Sequence, residues 1–169
     1  MRARAQIMVY QETAGRAKRP KLETGNIAMY EGFSLAGKNA IVTGATRGIG
    51  LAIARGFVES GASVTLCGRT QENIDAAVAE VRKAGDAVQG VIAHVGREED
   101  LSRLVEQAEA KFGPVTVLVN NAGTNPYWGP IVDSEDWAFD KTMAVNLRGP
   151  YILSRIVARR MMGAGGGSI

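Results

Sequence analysis

Thr43-Gly44-Ala45-Thr46-Arg47-Gly48-Ile49-Gly50 places three glycines between a short apolar run and a stretch with helical spacing. A helix N-terminus presents unpaired N–H groups and a partial positive charge, which together suit a pyrophosphate. In that setting Gly44 is expected to make the tight turn, and Gly48 to let a phosphate approach the backbone. Gly50 is expected to let the helix pack closely on the strand. The spacing is TGxxxGxG rather than GxGxxG. A glycine trio alone is a common structural turn. Its position between a strand and a helix makes Gly44, Thr46, Arg47, Gly48, Ile49 and Gly50 candidate dinucleotide-binding residues.

Charge at the second strand bears on which dinucleotide. A site for NAD(H) places Asp or Glu there to accept hydrogen bonds from the adenosine ribose. This chain has Gly68 followed by Arg69, with no acidic residue between Glu59 and Glu72, and a second guanidinium at Arg47. Arginine forms charge-assisted bonds to phosphate, so the pattern favours the 2′-phosphate of NADP(H), with NAD(H) second. The plainer alternative is that both arginines are solvated surface residues.

The elements needed to position these residues follow at a regular beat. Apolar runs at 39–43, 63–67, 87–95 and 115–119 predict strands. Helical spacing predicts helices over 48–60 (Ile49, Ala52, Ile53, Phe57), 71–84 (Ile74, Ala77, Val78, Val81) and 98–112 (Leu101, Leu104, Val105, Ala108). Thr70 is placed to cap the second helix. Near-continuous apolar strands alternating with amphipathic helices predict an α/β, Rossmann-type doubly wound parallel sheet. A longer fifth helix is expected from Ser134 to about Met162, with a kink or close packing at Gly149-Pro150. The Gly163–Gly167 run reads as a turn or as entry into a further strand.

Composition fits a single soluble globular domain: 46% hydrophobic and 22% charged residues in 169, with no apolar run long enough to span a membrane. One cysteine and one histidine exclude a disulfide within the chain and argue against a zinc site, and the lone Cys67 suits a reducing cytoplasm. Cys67 itself reads as a buried strand residue. Residues 1–28 hold six of the cationic side chains against two acidic ones, which leaves the remainder slightly acidic. Residues 1–33 therefore read as a basic, disordered extension, and 34–169 as the dinucleotide-binding domain. Such an extension suits nucleic acid or an acidic membrane as well as plain solvation, a leader, or sequence upstream of a start at Met29; neither a nucleic-acid nor a membrane partner is assigned.

Together, TGATRGIG and Asn120-Asn121-Ala122-Gly123 after the fourth strand resemble the signatures of the short-chain dehydrogenase/reductase family, and the resemblance runs from about Ser34 to Ile169. Asn125-Pro126 and His94-Val95-Gly96 look like members that reduce ketones and aldehydes, including carbonyl reductases and 3-oxoacyl-carrier reductases. The resemblance implies an oxidoreductase acting on alcohol or carbonyl substrates with a nicotinamide cofactor. It adds Asn121, Ala122, Gly123, His94 and Val95 to the cofactor residues. His94 stands where the family usually has an Asp contacting the adenine amino group, and a neutral imidazole nitrogen could accept that bond instead. The resemblance also implies that the backbone carbonyl of Asn146 serves a proton relay, and that homo-oligomers form through the long helix.

That family's chemistry needs a Ser and a Tyr-x-x-x-Lys pair. Tyr10, Tyr30, Tyr127 and Tyr151 are followed at that spacing by Ala14, Ser34, Ile131 and Arg155. Tyr151 reads as a core residue of the long helix, while Tyr127 and Trp128 either line a substrate pocket or cover the open end of the sheet. The expectation is an N-terminal portion of such an enzyme, ending after four strands and the long helix, with little or no turnover by itself. A non-catalytic dinucleotide-binding or redox-sensing module is the alternative.

Overall fold

Four apolar runs become the strands β1 (Asn39–Val42), β2 (Ser63–Gly68), β3 (Val88–Ile92) and β4 (Val117–Val119) in a computed structural model that describes residues 33–169. The expected extension over residues 1–33 lies outside the described residues, Phe33 apart. All strands run parallel in the order β3-β2-β1-β4, with Ile41 level with Thr65 on one side and Leu118 on the other. Such a sheet needs cover on both faces, which is why Ala40, Ile41 and Val42 are all apolar and fully buried. Helices α1 (Gly48–Glu59) and α2 (Gln71–Val81) cover one face. Helices α3 (Glu98–Phe112) and α5 (Gly149–Gly163) cover the other, where Ile41, Val91 and Leu118 meet Leu104, Val105, Leu153 and Val157. The expected doubly wound Rossmann-type sheet is the fold observed. No helix among the described residues is long and apolar enough to cross a membrane.

The helical stripes expected for α2 and α3 are the buried ones. The stripe of α1 is met in part: Ile53 and Phe57 pack half-buried against the core beside the buried Gly50, Ala54 and Val58, while Ile49 is 75% exposed. The cause is local. The turn before α1 brings Gly50, which has no side chain, against neighbouring backbone, and this swings Ile49 outward. Thr70 does occupy the position preceding α2, yet its hydroxyl accepts the Asn73 side-chain amide at 2.8 Å and caps no backbone group. β3 ends earlier than expected because the chain turns at its tip, where Arg97 N–H donates to the His94 carbonyl at 2.9 Å. Ala93–Gly96 thus form a loop at the carboxyl end of the strand.

The expected fifth helix is α4 (Asp136–Met143), a π-helical turn over Ala144–Arg148, and α5. Close packing at Gly149 is realised: a Cβ there would lie 2.4 Å from the Val95 carbonyl oxygen. Arg155 with Glu98, and Arg160 with Glu109, pair α5 to α3. Tyr151, expected in the core, is 62% exposed, with Arg155 over its ring at 5.7 Å. The π-helical turn before α5 sets which of its faces meets the sheet, and Ile152, Leu153 and Val157 take the buried positions instead. The glycine tail turns back. Ser168 pairs in parallel with β4, donating to the Thr116 carbonyl at 3.0 Å and accepting from Leu118 N–H at 2.9 Å.

Candidate functional site

From β1 the chain builds outward to β3 and then jumps back to place β4 on the other side of β1. Open parallel sheets bind ligands where strand order reverses, at the carboxyl ends of the strands. A cleft of about 780 Å³ lies at that place. It is lined by Gly44, Thr46, Arg47, Gly48, Ile49 and Gly50 from the loop after β1, by Arg69 after β2, by His94 and Val95 after β3, and by Asn121, Ala122 and Gly123 after β4. The fold therefore brings all twelve candidate cofactor residues to one cleft, while Asn146 does not line it. It adds Cys67, Gly68 and Thr70, which the sequence marked for other reasons, and Asn73, Ala93, Thr124, Lys141 and Val145, which no motif marked.

Thr43, buried just past the end of β1, ties β1 to the end of β4. Its hydroxyl donates to the Val119 carbonyl at 3.3 Å and accepts the Asn121 and Ala122 N–H groups at 3.0 Å each. Asn121 completes the clamp: its side-chain amide donates to the carbonyls of Thr43 at 2.9 Å and Gly44 at 3.1 Å. Gly44 turns the chain at φ +62°, and a Cβ on it would come 2.8 Å from the Ala122 Cα. A Cβ on Gly50 would meet the Asn121 Nδ2 at 2.5 Å and the Gly44 carbonyl at 2.6 Å. So Gly50 makes room for Asn121 and the loop's own backbone, rather than for helix against strand as expected. Gly48 has φ +58° and open space where its Cβ would be. No side chain caps the first turn of α1 and no acidic residue occupies it, so its N–H groups face the cleft uncompensated.

The far end of the cleft is cationic. Glycine is required at position 68, because a Cβ there would lie 2.4 Å from the Thr46 methyl carbon. Arg47, Arg69 and Lys141 line the cleft, no carboxylate does, and neither arginine forms an ion pair among the described residues. Cys67 is buried at the floor, and burial pushes its thiol up to about 11. His94 is fixed at both ends. Its N–H donates to Asp100 Oδ2 at 2.8 Å, and its Nδ1 accepts the Gly96 N–H at 3.1 Å. The His94 N–H bond, more than the Arg103 guanidinium, holds the Asp100 carboxyl below the usual carboxylate range. With Nδ1 already accepting the Gly96 N–H, a neutral His94 would carry its proton on Nε2.

Asn146 stands behind the cleft, in the π-helical turn. Its side chain accepts the Thr124 N–H and donates to the Thr124 carbonyl, both at 2.8 Å. An asparagine otherwise unsuited to a helix thus pins the chain that follows Gly123. Four residues on, Pro150 lacks the N–H that an α-helix would send to the Asn146 carbonyl. Tyr127 turns its hydroxyl to the Pro130 carbonyl at 3.0 Å, and Trp128 is 87% exposed; neither lines the cleft.

Known proteins share this arrangement. Residues 38–169 match the family described as short chain dehydrogenase. Dehydrogenase/reductase SDR family member 4 of Homo sapiens is 42% identical over 135 residues, covering 80% of this chain and 49% of that protein. Its Caenorhabditis elegans counterpart is 40% identical over 134 residues, 79% of this chain and 52% of the relative. The chain thus spans about half the length of the curated relatives it matches. The crystal structure of a 3-ketoacyl-(acyl-carrier-protein) reductase from Brucella melitensis superposes with a TM-score of 0.73 at 36% identity, over 78% of this chain and 53% of that one. A Sinorhizobium meliloti protein assigned to the short-chain alcohol dehydrogenases does so with a TM-score of 0.76 at 33% identity, over 80% and 53%. With the family match covering residues 38–169, this chain belongs to the short chain dehydrogenase family.

Proposed function

We propose that the chain is the dinucleotide-binding portion of an NADP(H)-dependent oxidoreductase acting on alcohol or carbonyl substrates, working in the cytoplasm. The observation that carries the reading is the cleft's charge: three cationic side chains and no carboxylate. The open space above Gly48 and the uncapped start of α1 fit a pyrophosphate. Arg69 and Arg47 fit a 2′-phosphate at the end of β2. When bound, the nicotinamide supplies the two-electron chemistry. The chain's own residues bind and orient: Asn121 and Thr43 fix the loop, and Asn146 fixes Thr124 at the cleft's opposite end. With Tyr-x-x-x-Lys nowhere in its 169 residues, the chain by itself binds cofactor without turnover.

The Brucella melitensis reductase is described as complexed with NADH, which makes NAD(H) the second reading. Titration of the purified chain with NADPH and NADH, with Arg69→Asp alongside, separates the two. NADPH should bind at least about tenfold tighter, and Arg69→Asp should remove that preference, since a charge-assisted bond of roughly 1.5–3 kcal/mol is lost. Equal or tighter NADH binding by the unaltered chain would overturn NADP(H). The reading extends to a homo-oligomer through the long helix, supported by the exposed Met143, Leu147 and Tyr151, which line an apolar hollow of about 550 Å³.

A further inference from the structure

We infer that the dinucleotide cleft and the apolar hollow on α4 and α5 are linked through one shared wall, residues 140–151, so that cofactor binding and self-association strengthen each other. This rests on the dinucleotide and homo-oligomer readings above and deepens both. The wall is a single helical run: the end of α4, the π-helical turn and the start of α5. Lys141 and Val145, four residues apart, line the cleft. Asp140, Met143, Ala144, Leu147, Arg148 and Tyr151 fall on another stripe of the same run and line the hollow. One helix, about 10 Å across, thus separates the two openings.

On its cleft side the wall is gripped at two points. Asn146 holds Thr124, a cleft residue, through two bonds of 2.8 Å. Gly149 lies against Val95, another cleft residue, whose carbonyl oxygen would stand 2.4 Å from a Cβ at position 149. On its outer side Leu147 and Tyr151 are exposed. A second copy of the chain suits that side because its charges complement themselves. Asp140 and Arg148 form no ion pair among the described residues. They flank Ala144 at a separation of about 12 Å along the helix. A two-fold contact centred on Ala144 sets Asp140 of each copy against Arg148 of the other. A bound dinucleotide needs Val95, Thr124, Lys141 and Val145 in one position, and a second copy backs the same wall from outside. Each event holds in place what the other requires, which makes the linkage positive.

The test measures NADPH affinity by calorimetry and self-association by sedimentation equilibrium on the full chain. If each associated copy binds NADPH about fivefold more tightly than a lone copy, saturating NADPH must tighten pairing by the square, about twenty-five-fold. Leu147→Gln changes no charge, and Leu147 does not line the cleft. The variant should dissociate the pair and weaken NADPH binding about fivefold, and amide hydrogen exchange over 140–151 should be slowed less by the cofactor than in the original chain. Asp140→Arg alone should weaken pairing, and Asp140→Arg with Arg148→Asp should restore it. A folded, monomeric Leu147→Gln that binds NADPH as the original does overturns the inference and leaves the dinucleotide reading intact. So does association that NADPH does not alter, and failure of the exchanged pair to associate overturns the two-fold contact. A chain that is monomeric with and without NADPH removes the homo-oligomer reading, and this inference with it. If NADPH does not bind, the dinucleotide reading falls instead.

Discussion

The side-chain amide of Asn121 sits 3.1 Å from the Gly44 carbonyl, and the position where a Cβ on Gly50 would stand is 2.5 Å from that same amide nitrogen. One nitrogen therefore joins the turn that opens the glycine loop to the helix that closes it.

Gly50→Ala should destabilise the chain by about 1–3 kcal/mol, the usual cost of forcing a methyl into filled space. Asn121→Ala should cost about as much, because the Gly44 carbonyl loses its donor. The two effects share an atom, so the double variant should lose less than their sum. Urea midpoints of the four proteins give the coupling, and simple additivity would refute the shared contact.

Gly149→Ala probes the packing of α5 on the tip of β3. Alanine is worth about 1 kcal/mol more than glycine within a helix. Here the methyl would meet the Val95 carbonyl oxygen at 2.4 Å, which no rotamer relieves. The variant should lose roughly 2 kcal/mol net, and cofactor affinity should fall with it because Val95 lines the cleft. Thermal unfolding with and without NADPH separates the two losses.

How much of this was legible in the sequence depends on the kind of contact involved. The stripe Leu101, Leu104, Val105 and Ala108 is repeated side-chain patterning, and α3 came out with the expected bounds. For α1 only Ile53 and Phe57 of the expected stripe pack on the core, because the helix start is set by close contacts at Gly50, which leave no trace in hydrophobic spacing. The twelve cofactor candidates were legible from motifs and from the charge at Arg69; Thr124 and Lys141 were not, because they reach the cleft through a loop and through α4. The tautomer of His94 was not legible, because it depends on the Gly96 N–H, a contact made in the turn after β3.

Cys67 carries a pH signature. Its thiol titrates near 9.0 when solvated and near 11 in the fold. Between those values the folded chain binds more protons than the unfolded one, so stability falls as pH rises from 9 to 11. The loss should approach roughly 2–3 kcal/mol by pH 11, and Cys67→Ala should flatten this part of the pH profile. Denaturant midpoints at pH 8, 9.5 and 11 give the answer; equal slopes for the two proteins would contradict it.

Leu147 is 58% exposed between Met143 and Tyr151. Leu147→Glu should leave the unfolding midpoint within about 0.5 kcal/mol of the original, as surface changes do, while converting an associated chain to a monomer in sedimentation. An unaltered sedimentation coefficient would exclude this face as the contact.

Reversal of strand order leaves the cleft between two separate cores, and Arg47, Arg69 and His94 belong to neither. Arg47 and Arg69 can therefore be exchanged while Leu104, Val58 and their neighbours stay packed as before.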